Sequence, residues 1–138
     1  MRLYRLADRL RDRLRRRAWT AERSAGARGE DLAHRLLERE KYRVVARNYR
    51  PPAGSGEIDI IAWDGDTLAV VEVKTRASDD YGTPERAVGE HKRRRMERAA
   101  LDYARRAGVA WEQVRFDVVT VIDSDPPVLT LYRDALAR

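Results

Sequence analysis

An α/β sandwich of the α+β kind, with about five strands and two core helices, is the fold class this sequence predicts. Three observations carry it. Apolar runs rich in β-branched residues alternate with helical periodicity in the order α, β, β, β, α, β, β. Asp64-Gly65-Asp66 separates two such runs, residues 58–63 and 67–74, and an Asp-Gly pair in that setting signals a hairpin. Both faces of the hairpin carry apolar side chains, Ile58, Ile60, Ala69, Val71 and Val73 on one and Ile61, Leu68 and Val70 on the other, so its strands are central and covered on both sides.

Taken in order, Leu3, Leu6, Leu10 and Leu14 recur at spacings of three and four among arginines, which predicts an amphipathic helix over residues 2–19. Such a helix could dock on its own domain, serve as a partner or homodimer helix, or contact a membrane surface or DNA phosphates. Residues 24–29 read as a turn into a second helix that ends near Lys41, with Leu32, Ala33, Leu36 and Leu37 on its buried side. Glu30 sits in its first turn, where a carboxylate commonly serves the helix dipole. His34, one turn on, reads as exposed or supporting rather than as a ligand. Residues 42–49 form the first predicted strand, and the Pro- and Gly-rich residues 50–55 a loop that opens into the hairpin.

After a polar loop at 77–82, Thr83-Pro84-Glu85 offers an N-cap, a proline at the first helical position and an acid in the first turn. The helix is expected to run to Ala107, with Gly108 ending it. Lys92 falls with Val88, Met96, Ala99 and Tyr103 on the core-facing stripe, so it can point at the sheet, whereas Arg93, Arg94 and Arg95 lie elsewhere on the helix. Residues 116–122 and 128–132 complete the strands. Two domains in sequence are therefore expected: an Arg-rich helical extension at 1–24 and a folded unit at 25–138.

The net charge of +6 invites a nucleic-acid reading, but its distribution weakens it. Residues 1–24 hold nine arginines and three acids, while residues 25–138 hold twenty basic and twenty acidic residues, so the body is formally neutral. The absence of cysteine excludes disulfides and thiolate zinc sites and agrees with a reducing, cytoplasmic setting. No stretch approaches the ~20 apolar residues of a membrane span, so stable membrane insertion is not expected. Of 29 basic residues only three are lysines, and two of these are Lys74 and Lys92. A lysine retained where the chain otherwise writes arginine suggests a place that wants a compact ammonium rather than a guanidinium fork.

The hairpin parity concentrates charge in this covered region. With Asp64 and Gly65 as a two-residue loop, Asp59 opposes Val70 and Glu72 lies diagonally across from it; a four-residue loop sets Asp59 directly against Glu72. Both keep Asp59, Glu72 and Lys74 on one face, and a three-residue loop would separate them. Two carboxylates in a covered sheet repel and resist desolvation unless a cation joins them, and a divalent metal with oxygen ligands answers that cost. A structural ion pair of Lys74 with Glu72 or Asp59 answers it as well, and spacing alone does not decide. Glu57, two residues before Asp59, is either a third acid at the edge of the site or a solvated strand end.

Asp59 followed by Glu72-Val73-Lys74 resembles the D…ExK signature of the PD-(D/E)XK nuclease superfamily, whose restriction-endonuclease-like fold includes archaeal Holliday junction resolvases. The longer series Gly26-x-x-Gly29-Glu30, Arg47-Asn48, Gly56-Glu57-Ile58-Asp59, Val71 to Arg76, Gly82-x-Pro84, Lys92 and Arg115-Phe116-Asp117 resembles the YraN-like family of uncharacterised bacterial proteins. The Arg-rich segment before Ser24 and the Pro-Pro-Ala-Gly-Ser stretch before Gly56 depart from that family. The resemblance implies a mixed sheet flanked by helices. It also implies a metal-dependent DNA endonuclease, with branched or structured DNA among its candidate substrates. Mg2+ or Mn2+ would be held by Asp59, Glu72 and the Val73 carbonyl with support from Glu30. Lys74 would be the catalytic lysine, and Lys92 would touch a phosphate or orient an acid. Arg76, Arg93, Arg94 and Arg95 are the candidate DNA contacts. The alternatives are a nucleic-acid-binding or scaffold protein that keeps the fold without the activity, and an adaptor that works through the Arg-rich helix.

Overall fold

The computed structural model describes residues 21–52, 54, 56–78 and 88–136. The expected helix at 2–19 and the helix start at Thr83-Pro84-Glu85 lie outside the described residues. The chain runs α1 (Ala21–Arg39), β1 (Arg43–Tyr49), β2 (Ile58–Asp64), β3 (Thr67–Arg76), α2 (Glu90–Ala107), a short 3₁₀ turn (Trp111–Gln113), β4 (Val114–Ile122) and β5 (Val128–Leu136). The strands form one mixed sheet in the order β1-β2-β3-β4-β5. β3 and β4 are parallel and every other neighbouring pair is antiparallel. The parallel step follows from connectivity: β3 and β4 are joined through α2, and a parallel pair needs such a crossover.

The two helices occupy opposite faces. On one, Ala33 and Leu37 of α1 pack with Tyr42, Ile60, Ala62, Ala69, Val71, Val119 and Val121. On the other, Met96, Ala99, Ala100 and Ala104 of α2 pack with Ile61, Leu68, Val70, Phe116 and Val118. Central β2 and β3 are thus covered twice, which explains their nearly continuous apolar runs. Ile58, expected beside Ile60, packs instead in the α2-side cluster. It lies past the end of the β2–β3 ladder, which stops at Ile60↔Val71, so that ladder no longer enforces alternation there. Among the described residues no helix is long and apolar enough to cross a membrane.

Three local expectations are corrected. Residues 24–29 are not a turn: α1 passes through them, glycines included. Gly29 packs closely there, since a Cβ at this position would meet the Thr75 hydroxyl of β3 and that side chain would have to turn away. The second helix is not continuous from residue 83, because Val88 and Gly89 are non-helical and Gly89 is extended at φ −64° and ψ 155°. Its end is as expected, with Gly108 left-handed at φ 69° and its N–H directed at the carbonyls of Ala104 and Arg105. In the hairpin, Asp64 pairs with Thr67, so the two loop residues are Gly65 and Asp66. Gly65 at φ 60° occupies the first central position, where a type II′ turn demands positive φ.

A buried polar cluster ties the sheet to the end of α1. Asp117 is fully buried and accepts hydrogen bonds from Tyr42 Oη (2.8 Å), Arg115 Nε (2.8 Å) and the Asp134 N–H (2.9 Å). Arg115 also reaches Asp64 at the hairpin tip (2.8 Å). Burial, followed by the Asp117 hydrogen bond and charge, holds the Tyr42 phenol well above its usual range.

Three outcomes follow from this packing. Gly56 has φ 90°, and a Cβ there would run into the Arg95 carbonyl oxygen, so Gly56→Ala should lose about 2–4 kcal/mol in urea unfolding. Gly26→Ala, in open space on a helix, should gain about 0.5–1 kcal/mol by the same measurement. Because the neutral phenol of Tyr42 is the form favoured by folding, its contribution is complete below the unfolded tyrosine pKa of about 10 and falls as pH rises above it. Tyr42→Phe should therefore be less stable at neutral pH yet lose less stability between pH 9 and 11, as read from unfolding midpoints.

Candidate active site

The register brings the charged residues together. Because Ile60 opposes Val71, continuing the pairing sets Asp59 against Glu72, the arrangement a four-residue loop would give. At that point the ladder ends, and the Val73 N–H donates to Asp59 Oδ2 (2.9 Å) instead of to a strand carbonyl. The site thus forms where β2 and β3 stop bonding backbone to backbone. A cleft of about 570 Å³ opens there, lined by Asp59 of β2, by Glu72, Val73, Lys74, Thr75 and Arg76 of β3, by Gly26 and Glu30 of α1, and by Lys92 of α2.

Glu72 is the most buried of these groups, 1% exposed on a central strand. Its Oε1 contacts the Lys92 ammonium and lies 3.5 Å from Lys74 Nζ, while Oε2 has no hydrogen-bond donor among the described residues. Asp59 is partly buried. Its carboxyl is pushed well above the ordinary carboxylate range, first by burial and then by the nearby negative charges of Glu72 and Glu30. Burial lowers the Lys74 ammonium, with Lys92 and Arg76 adding to that effect against the pull of Glu72. Lys92 is also partly desolvated, but the Glu72 carboxylate outweighs this and raises it. Two acids are therefore short of positive charge on one side, while two ammonium groups crowd a single oxygen on the other.

Glu30 lines the same cleft and its charge reaches Asp59, with its carboxylate 3.6 Å from Arg47 Nη2. Arg47 bridges onward to Asp31 at 2.8 Å. Among the described residues no three Asp, Glu, His or Cys side chains gather as a ready cation cage. The oxygens on offer are those of the Asp59 and Glu72 pair, and they are hard donors of the kind Mg2+ and Mn2+ prefer. The buried Glu72 Oε2, which meets no donor among the described residues, fits such an ion, because an anionic oxygen removed from water otherwise stays unsatisfied.

The remaining candidates separate. Arg93, Arg94 and Arg95 share α2 but do not line the cleft: Arg94 pairs with Glu90 (3.1 Å) and Arg93 lines a different pocket with Val88 and Leu136. Glu57 pairs with Arg50 (3.0 Å) and is not among the residues that line the cleft. His34 pairs with Glu38 (2.8 Å) and lies outside the cleft as well. Asp123, after β4, and Arg47 were given no role by sequence reasoning. Arg47 had a faint signal in its place within the Arg47-Asn48 pair of the resemblance; Asp123 had none, since only the parallel β3–β4 register carries the end of β4 to the cleft.

A family model described as uncharacterised protein family UPF0102 matches residues 29–121, a span that includes Glu30, Asp59, Glu72, Lys74 and Lys92. A UPF0102 protein of Solibacter usitatus is 55% identical over 133 residues, 96% of each chain. UPF0102 proteins of Desulfosudis oleivorans and Geobacter sulfurreducens are 48% and 47% identical over 103 and 104 residues, covering 75% and 74% of this chain and 82% and 80% of theirs. On these matches, the chain belongs to the uncharacterised protein family UPF0102.

Proposed function

We propose that the cleft hydrolyses phosphodiester bonds in DNA with the help of Mg2+ or Mn2+. The observation that carries this reading is Glu72, a carboxylate buried on a central strand beside Asp59, with one oxygen that meets no donor among the described residues. The D…ExK spacing supports the same reading through its resemblance to the PD-(D/E)XK nucleases, and phosphate is the substrate group that a cleft edged by Lys74, Arg76 and Lys92 would attract.

Asp59 and Glu72 would hold the cation, with the Val73 carbonyl and Glu30 as further candidates. When bound, that ion would lower the pKa of a water and offset charge on the scissile phosphate. The chain supplies the rest. The Val73 N–H fixes the Asp59 carboxylate, so its orientation does not depend on the substrate. Lys74, held on the rigid β3 with its ammonium pKa lowered, would orient the attacking water or balance charge building on a non-bridging phosphoryl oxygen. Lys92 and Arg76 would grip phosphates on either side. Arg93, Arg94 and Arg95 lie away from the cleft, where they would meet a longer DNA backbone rather than the bond being cut.

Two measurements test this. Titration calorimetry with Mn2+ should show binding by the wild type that weakens at least about tenfold in Asp59→Asn, roughly 1.4 kcal/mol. With Mn2+ present, the protein should cut at least one of linear duplex, flapped, four-way-junction or single-stranded DNA. Lys74→Ala should lower that rate by roughly 10²-fold or more while keeping most of the metal affinity. DNA binding without cutting of any of these forms would instead mark a scaffold that retains the fold.

A further inference from the structure

Two ammonium groups address one oxygen of Glu72, and they differ in how firmly they are held. Lys74 projects from β3 within the parallel ladder, opposite Thr120, and its side chain is 20% exposed. Lys92 projects from the first turn of α2, is 46% exposed, and contacts the same Oε1. The first is positioned by the sheet; the second reaches in from solvent on a flexible four-carbon stem. A doubly charged ion bound between Asp59 and Glu72 would crowd both lysines in a partly desolvated cleft, where like-charge repulsion is strong. Lys92, the more exposed of the two, has open solvent to rotate into, whereas Lys74 is 20% exposed and has less room to withdraw.

We propose that Lys92 is an internal substitute for the divalent cation. It neutralises Glu72 while the site holds no metal, yields when a cation binds the Asp59–Glu72 pair, and passes to a phosphate oxygen of the incoming DNA backbone. This rests on the metal-dependent reading above. A DNA phosphate that draws Lys92 away from Glu72 raises the affinity for metal, and metal raises the affinity for DNA by the same factor. Empty protein therefore loads metal weakly, and loads it well once a phosphate has arrived.

The full-length wild type, Lys92→Met and Lys92→Arg are compared by following free Mn2+ with electron paramagnetic resonance, without DNA and with saturating 20-base-pair duplex. Without DNA, Lys92→Met should bind Mn2+ about fivefold or more tightly than wild type, and Lys92→Arg, which keeps a cation, should stay near wild type. Duplex should tighten Mn2+ binding by the wild type by a larger factor than it tightens binding by Lys92→Met. Thermal unfolding gives an independent reading: metal-free Lys92→Met should melt below wild type and gain more from added Mn2+. Lys92→Gln supplies the same comparison if the methionine variant does not fold. Equal or weaker Mn2+ binding by Lys92→Met than by wild type would overturn the substitution role, and DNA cutting by the wild type in that case would leave the proposed activity standing. Absence of Mn2+ binding in wild type and variants alike would overturn both.

Discussion

A carboxylate taken out of water on the central strand of a sheet is the constraint around which this molecule is arranged. Glu72 has apolar neighbours in sequence on both sides, lies between β2 and β4, and is covered by helices on both faces of the sheet. Leaving such a charge without compensation costs several kcal/mol, more than most single contacts return. The surroundings respond accordingly. Lys74 approaches along the strand and Lys92 from α2, and the Asp59 carboxyl is driven toward its neutral form.

The opposite pole of the hairpin shows what a settled buried charge looks like. Asp117 is as deeply buried as Glu72, yet its oxygens accept bonds from Tyr42, Arg115 and the Asp134 backbone, and Arg115 goes on to Asp64. Fully connected networks of that kind rigidify and specify a fold. The Asp117 cluster holds α1, the hairpin tip and the last two strands in register, and so frees the other end of β2 and β3 to carry an incompletely satisfied group. The contrast between these two acids, within one sheet, separates architecture from site.

Much of this was legible in the chain. Strand parity alone put Asp59, Glu72 and Lys74 on one face, because an even hairpin loop cannot do otherwise, and the helical stripe pointed Lys92 toward the sheet. Periodicity also recovered all five strands. What it missed depended on contacts between segments remote in sequence. Gly26 and Gly29 looked like turn residues because their composition is that of a turn; the close approach of Thr75 to Gly29, which favours glycine there inside a helix, leaves no local trace. The loop pair lies one residue further on than expected, with Asp64 held in the ladder opposite Thr67 and bonded by Arg115, fifty-one positions away. Arg93, Arg94 and Arg95 form a conspicuous run in sequence but lie beyond the cleft, while Arg47 is isolated in sequence and stands beside Glu30.

The Gly29 and Thr75 contact also acts as a spacer. Without a side chain at residue 29, α1 lies directly against the Thr75 hydroxyl, and both the next residue of the helix and the preceding residue of the strand, Glu30 and Lys74, line the cleft. The breadth of the opening on the α1 side is thus set by the absence of one methyl group. A side chain at residue 29 would have to turn the Thr75 hydroxyl aside or else press α1, and with it Glu30, away from β3. A residue that itself lines no part of the cleft would in this way bear on the distance between Glu30 and the β3 side of the opening.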